Sequence, residues 1–371
     1  MHGTRILDEA DRVMTVCNSC RYCEGLCAVF PAMEMRRAFS DGDLNYLANL
    51  CHACGACYVD CQFSPPHEFN VNVPKTLAVA RAESYAAYAW PRALSGLFAR
   101  NGLVIGVSAA ASVAAFIIGF VAAVPGQVLL GSHTGPGAFY VLMPHNAMVA
   151  LFGVAFLYAI LALVMGMRSF WRDIGEPVGS RADTPSLWQA VRDACSLRYL
   201  DGGGVGCFNK DERPTDRRKI FHHFTFYGFL LCFAATCVGT LYHYLLGREA
   251  PYPWWDLPVV LGTLGGIGLL IGPVGLLIAK RKRDAMLVDQ ASTGMDAAFT
   301  IMLLLTSITG LALLLWRATA AMGPLLAIHL GFVFALFITF PYGKLVHGLY
   351  RFVALVRYAR ERRMTVGAAA E

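Results

Sequence analysis

Eight of the chain's twelve cysteines fall between Cys17 and Cys61, in two copies of one spacing, and no other feature limits the fold so tightly. The first copy is Cys17-x-x-Cys20-x-x-Cys23-x-x-x-Cys27 and the second is Cys51-x-x-Cys54-x-x-Cys57-x-x-x-Cys61. This is the ligand spacing of a two-cluster ferredoxin, in which three close thiolates wrap one [4Fe–4S] cube and the fourth crosses to the other. The first cluster takes Cys17, Cys20, Cys23 and Cys61; the second takes Cys51, Cys54, Cys57 and Cys27. Paired zinc sites show two CxxC pairs separated by a longer run, and a disulfide framework belongs to secreted chains, so neither fits as well. One departure stands out: the proline that directly follows the fourth cysteine of the bacterial ferredoxin run is replaced by Ala28 and Gln62, with Pro31 and Pro65 further on.

Between the two copies, residues 31–39 and 40–50 read as helix, turn, helix, with Asp43 expected to cap the second helix. Leu44, Leu47 and Leu50 then share one face and deliver Cys51 to its cluster, and no alternating strand run is visible. Ile6, Leu7, Ala10, Val13 and Met14 recur at helical steps and predict a short amphipathic first helix packed on the same domain. A loop follows Cys61, and Pro74 suits the first turn of a further helix running to Trp90.

With 56% hydrophobic and 15% charged residues and a mean hydropathy of +0.50, the chain has membrane-protein composition. Six apolar stretches, Leu103–Val124, Tyr140–Gly166, Phe221–Leu246, Leu257–Ala279, Ala297–Trp316 and Leu325–Leu349, each approach the ~20 residues that a bilayer requires. Basic residues crowd the segment between the second and third stretches (among them Arg168, Arg181, Arg198, Arg217 and Arg218), the run Lys280–Arg283 and the tail from Arg351 to Arg363; the opposite loops hold only Arg248 and Arg317. By the positive-inside rule both termini and the clusters are expected in the cytoplasm, with the chain in a bacterial inner membrane. The first sixteen residues include Asp8, Glu9 and Asp11 and no apolar core, which argues against a secretory signal. The basic residues border apolar segments and are not interleaved with aromatics, so no nucleic-acid partner is expected. This gives residues 1–73 as a ferredoxin domain, 74–101 as a helical linker at the membrane surface, 102–352 as the membrane domain with a cytoplasmic insert at 168–219, and 353–371 as a basic tail.

The insert contains Asp201-Gly-Gly-Gly-Val-Gly-Cys207, which follows no strand and lacks both GxGxxG and a Walker lysine, so it is not read as a nucleotide site; it is expected to dock the ferredoxin domain or an electron-donating partner. Ionisable groups at membrane depth are expensive and mark function by default, and here they are almost all histidines. His222, His223 and His243 bracket the third apolar stretch, His329 and His347 the sixth, and His145 begins the second. His329 and His347 are eighteen residues apart, five whole turns, so their side chains share one face about 27 Å apart at 1.5 Å per residue. His222 lies nearer the face of His243 than His223 does, which makes it the better candidate, with His223 kept as an alternate. Two bis-histidine b-haem sites follow, His243 with His329 and His222 with His347; His145 can replace His243 or His329, so one or two haems remain open. Gly228, Gly239, Gly331 and Gly343 would give the macrocycles room. The fold class is therefore all-α: an α-helical ferredoxin domain with two [4Fe–4S] clusters, followed by a six-helix, cytochrome-b-like transmembrane bundle.

Three segments carry a family likeness: Tyr199-Leu-Asp-Gly-Gly-Gly-Val-Gly-Cys207, Asp211-Glu-Arg-Pro214, and Arg217-Arg-Lys-Ile-Phe-His-His-Phe-Thr-Phe-Tyr-Gly228. With the doubled cysteine motif they resemble the tricarballylate/citrate utilisation protein B (TcuB, CitB) family across essentially the whole chain. The resemblance implies an inner-membrane protein that reoxidises the FAD of a soluble, TcuA-like tricarballylate dehydrogenase and passes electrons through two [4Fe–4S] clusters and haem b to quinone. Its membrane part is similar to nitrate-reductase gamma-type cytochromes b. Related pairs in cobalamin biosynthesis, or a heterodisulfide-reductase-like or nitrate-reductase-like flavoprotein, leave the partner open. The chain shows no flavin fingerprint, acid, base or nucleophile for carbon chemistry, so it is expected to be the electron-transfer component of an oxidoreductase system. The rival from another class is a six-helix carboxylate carrier with an iron–sulfur sensor domain.

Overall fold

The computed structural model describes residues 2–175 and 183–368. Arg181, counted above with the basic residues of the insert, lies outside them.

The cysteine-rich region is built from α1 (Arg5–Cys20), α2 (Val29–Glu34), α3 (Asp41–Leu50), α4 (Ala56–Val59) and α5 (Val73–Ala87). Thr4 caps α1, and the helix buries Leu7, Ala10, Val13 and Met14 as its period requires. The cap of α3 is Ser40, whose hydroxyl accepts from the Asp43 N–H, while the Asp43 carboxylate sits at the third helical position and closes a capping box on the Ser40 backbone. Asp43 is therefore the return half of the cap, not the cap itself. Pro74 lies in the first turn of α5, where the missing N–H costs nothing.

Among the described residues six helices are long and apolar enough to cross a membrane. The first is α6 (Asn101–Ala123), entered through a 3₁₀ turn at Arg92–Arg100, and two short helices, α7 (Gly126–Leu129) and α8 (Ala138–Leu142), lead to α9 (His145–Asp173). After α10 (Thr184–Cys195) and a two-residue antiparallel ribbon, β1 (Cys207–Phe208) on β2 (Pro214–Thr215), come α11 (Arg217–Leu246), α12 (Leu257–Lys282), α13 (Thr293–Trp316) and α14 (Met322–Thr339). The sixth apolar stretch is not one helix. Pro341 removes a backbone donor and crowds the carbonyl four residues back, so α14 gives way to a 3₁₀ turn at Phe340–Tyr342 before α15 (Val346–Ala368) begins. His329 and His347 consequently sit on different helices, and the shared five-turn face does not exist.

The glycines expected to make room for macrocycles instead let helices approach. A Cβ on Gly228 would meet the Gly265 carbonyl of α12 at 2.9 Å, and one on Gly331 would meet the Val113 Cα of α6 at 2.6 Å, the small-residue packing typical of membrane helices. Added atoms at Gly343 and Gly239 would first meet the Thr339 carbonyl and the Tyr252 ring. The tightest packing of α11 is on α12; towards α9 and α14 rings approach across the bundle, Phe156 on Phe233 and Phe340 on Phe229.

The cluster-side core crosses the boundaries read from the sequence. α5 buries Leu77, Ala80 and Tyr85 in it, and α15 adds Ala354, Leu355, Val356 and Tyr358, so residues 353–368 begin as a core helix and not as a free basic tail. Phe170 and Ile174, from the end of α9, join the same core. A polar knot fastens α15 to α3: Arg36 and Arg357 each pair with both Asp43 and Glu361, and the Tyr46 hydroxyl donates to Glu361 at 2.9 Å.

Candidate functional site

The eight motif cysteines gather into two groups, each crossing between the motifs. Cys17 neighbours Cys23, Cys61 and Cys20; burial and these nearby thiols push it up to about 12. Cys23, beside Cys61, Cys20 and Asp60, is likewise raised to about 12, chiefly by burial. In the second group burial pushes the Cys27 and Cys57 thiols up, reinforced by Cys54 and Cys51, while Cys54 rises to about 11. Thiols held this far above their ordinary value are poor ligands until a cation stabilises the thiolate, so each group is a place where metal binding and deprotonation are coupled. Among the described residues no three His, Cys, Asp or Glu converge on one point as round a single ion, whereas a cube offers each thiolate its own iron.

The two groups differ in their surroundings. The turn from Arg21 to Gly25 beside the first is open to solvent, and Tyr22 is 72% exposed. The second is enclosed. Its pocket is lined by Cys27, Cys51, Cys54 and Cys57 together with Phe30, Tyr199 and Gly202. The glycine loop of the insert forms the cover: a Cβ on Gly202 would meet Ala56 at 2.8 Å and the Cys54 sulfur at 3.2 Å, and one on Gly203 would meet the Leu26 carbonyl at 2.1 Å. The Phe208 N–H donates to the Cys54 carbonyl at 2.8 Å, and Lys219 pairs with Asp201 at 2.7 Å to hold the loop's root. The expected docking of this loop on the cluster domain is thus an intramolecular contact with both cysteine motifs.

Below the second group lie the histidines nearest the cluster side. His222 and His347 have ring centres 6.1 Å apart and planes at 73°. His347 uses Nδ1 against the Lys344 carbonyl, and His222 Nδ1 is buried without a partner. His223 stacks instead on Tyr227, with ring centres 5.9 Å apart, and takes no part in the pair. At the far end, His243 is brought against His145 and not against His329: their rings stack nearly parallel at 3.7 Å. His329 binds the Thr309 hydroxyl through Nδ1 at 3.0 Å, its ring fitting where Gly310 leaves space.

Two arginines that the sequence reading took only as markers of topology link the two levels. Arg218 precedes His222 by four residues on α11, and Arg351 follows His347 by four on α15, so each histidine shares a helix face with an arginine one turn nearer the cysteines. Both arginines donate to the carbonyls of the loop that begins at Cys51. His52, within that loop, is buried with Nδ1 unpartnered, and burial together with Arg351, Arg218, Arg81 and His222 keeps it well below its usual range and hence neutral. The i,i+4 spacing of arginine and histidine was the available signal.

Residues 97–368 match the family described as Citrate utilization protein B, and residues 10–87 match the Citrate utilization protein B Fer4-like domain, which makes the N-terminal region a domain of the iron–sulfur kind and extends it past residue 73. A citrate utilization protein B of Escherichia coli is 51% identical over 359 residues, covering 96% of this chain and 92% of that protein. No solved structure matches. Both halves of the chain and the join between them are accounted for by these matches, and the chain belongs to the citrate utilization protein B family.

Proposed function

We propose that this protein is the membrane electron-transfer partner of a soluble FAD-dependent tricarballylate, or related tricarboxylate, dehydrogenase. It takes electrons from the flavin into two [4Fe–4S] clusters, held by Cys17, Cys20, Cys23 and Cys61 and by Cys51, Cys54, Cys57 and Cys27, and passes them through b haem to membrane quinone. A flavin releases two electrons, and one-electron centres in series divide the pair. The exposed turn around Tyr22 suits entry from a flavoprotein, and the basic cluster-side loops suit a cytoplasmic face.

The observation that carries the reading is the His222–His347 pair. An imidazole nitrogen binds a metal at about 2.0 Å, so two axial imidazoles on one iron have ring centres roughly 6 Å apart, close to the separation here. The Lys344 carbonyl on His347 Nδ1 also matches the usual outer support of a metal-binding histidine, which leaves the other nitrogen for iron. We assign the inner b haem to this pair. The outer histidines do not present such a gap, since stacked rings 3.7 Å apart leave no space for a macrocycle between them; a second haem would have to draw its ligands from His145, His243 and His329 after they separate.

The test is a reduced-minus-oxidised absorption spectrum with iron and haem stoichiometry on purified membranes, alongside uptake of labelled tricarboxylate into vesicles. Haem and about eight non-haem irons per chain, with electron delivery from the dehydrogenase to quinone, are expected. Uptake without a haem spectrum would replace the reading by that of a carboxylate carrier.

A further inference from the structure

Four arginines from four separate segments close on one short stretch of backbone. Arg81 of α5 donates to the Cys51 and Ala48 carbonyls, and Arg351 of α15 to those of Cys51 at 2.5 Å and Asn49 at 3.1 Å. Arg218 of α11 reaches the carbonyls of His52 at 2.9 Å and Ala53 at 3.1 Å, and Arg283, just beyond α12, reaches Ala53 at 2.8 Å. Among the described residues, the ion pairs of this region use Arg36, Arg357, Lys219 and Lys344, and none of the four. Burial and the charge of Arg218 push Arg283 down to about 9, and burial and the charge of Arg81 do the same to Arg351. Capping the exposed carbonyls at the end of α3 explains the hydrogen bonds, but one or two guanidiniums would suffice for that. The carboxylate that acts on Arg283, Asp296, is itself paired with Lys344 at 2.6 Å, so four half-buried cations are short of negative charge and call for an anion, because like charges desolvated together are costly.

The enclosed thiol group begins on this same stretch, and a cube bound by four thiolates is an anion that becomes more negative by one charge on reduction. Among the described residues no comparable set surrounds the first group: Cys23 has Asp60 beside it, and its turn is open to water. We propose that Arg81, Arg218, Arg283 and Arg351 set the direction of electron flow within the cluster pair, by making the cube on Cys51, Cys54, Cys57 and Cys27 easier to reduce than the one on Cys17, Cys20, Cys23 and Cys61. The step is the loss of one electron by the first cube and its gain by the second; the arginines lower the energy of the added charge without exchanging a bond. Arg218 and Arg351 place that charge one helical turn from His222 and His347, so the favoured cube is the one next to the histidine pair. The inference rests on the cluster assignment of the preceding section.

The test is a potentiometric titration of the full-length protein in detergent, following the two cubes by electron paramagnetic resonance, with Arg283→Gln, Arg81→Gln and Arg283→Lys. These two sites are chosen because neither shares a face with a histidine of the inner pair. Glutamine retains a donor for the carbonyl but removes the charge. At the potential that half-reduces the second cube of the parent, each glutamine variant is expected to lower its reduced-to-oxidised ratio about 15-fold, as for one charge removed at about 10 Å in an effective dielectric near 20, equivalent to ~70 mV for one electron. The first cube should not move, and lysine should restore the parent value. An unchanged second cube in both glutamine variants at full iron content, or an equal shift of both cubes, overturns the proposal and leaves the arginines as helix caps. If one glutamine variant loses its cube, the other decides. Absence of both cube signals from the parent would instead overturn the functional reading beneath it.

Discussion

A methyl group added at Gly203 tests whether the glycine loop of the insert seals the cysteine motifs. Gly203 has φ +82°, and its Cβ would stand 2.1 Å from the Leu26 carbonyl and 3.3 Å from that of Gly25, both in the turn between Cys23 and Cys27. Ordinary contact begins near 3.4 Å, so the loop or the turn must move by at least 1.3 Å (3.4 − 2.1). The neighbour supplies the control: Gly204 has φ +107°, with nothing within 4 Å of its Cβ. Both alanine variants bear left-handed strain of about 1–3 kcal/mol, but only Gly203→Ala adds a clash against backbone that cannot rotate away. If clusters decay through loop opening, that clash lowers the opening free energy by about 1–2 kcal/mol, which is roughly 5- to 30-fold in rate. The assay is the bleaching of iron–sulfur absorbance by an iron chelator in the full-length detergent-solubilised protein. Gly203→Ala should bleach in this range faster than Gly204→Ala. Equal rates for the two variants would show that the loop is not the cover.

Three further outcomes follow from the site. His222→Ala should abolish the bis-histidine signature of the inner haem while His223→Ala, whose ring lies on Tyr227, keeps it; haem content and low-spin resonance signals decide, and equal loss in the two would remove His222 from the pair. Cys54→Ser should delete one cluster signal and stop electron delivery to quinone yet leave the haem spectrum, since the thiols and the histidines occupy separate levels; full turnover would contradict the cluster assignment. Burial works to raise the Asp43 carboxyl, but hydrogen bonds from Arg36 and Ser40 and the charges of Arg36 and Arg357 outweigh it, so the group sits below its ordinary value. A depressed carboxyl stabilises the fold above its unfolded value, about 4, and that contribution is lost as pH falls through the folded value. The midpoint of thermal unfolding should therefore drop below about pH 4, and Asp43→Asn should flatten that part of the profile.

Much of this was legible from spacing. The cysteine steps pointed to two groups that cross between the motifs, as the thiols gather here, and hydropathy named six spans, because both signals are periodic and local. The His222 face followed from helical rotation along one unbroken helix, α11. The same argument failed for His329 and His347 because Pro341 breaks the path between them, and a rotation count cannot survive a change of axis. Gly228 and Gly331 were read as room for a ligand, yet a small residue on a membrane helix serves a neighbouring backbone equally well, and only the packing partner distinguishes the two uses. The packing of α5 and α15 onto the cluster-side core was hidden for a different reason. Composition shifts where the chain leaves apolar surroundings, but the core that receives α5 and α15 is assembled from segments more than 250 residues apart, such as Tyr46 and Glu361. No window along the sequence contains that contact.

The break at Pro341 is also what makes α15 useful. A sixth helix continued straight past Thr339 would keep the axis of α14 as it left the bundle. Redirected through Phe340–Tyr342, the chain instead begins a new helix whose first turn holds His347 against His222, whose second holds Arg351 on the Cys51 loop, and whose third and fourth bury Ala354, Leu355 and Tyr358 in the cluster-side core and tie Glu361 to Arg36. One helix thus fixes the height of a histidine below the cluster loop and the position of that loop above it. On the function proposed above, in which electrons would pass between the two levels, a rigid element spanning both sets their separation more reliably than the loops that connect the two domains. α11 supplies the matching half, with Arg218 on the His52 and Ala53 carbonyls and His222 one turn deeper, so the distance is held from two sides by covalently continuous backbone.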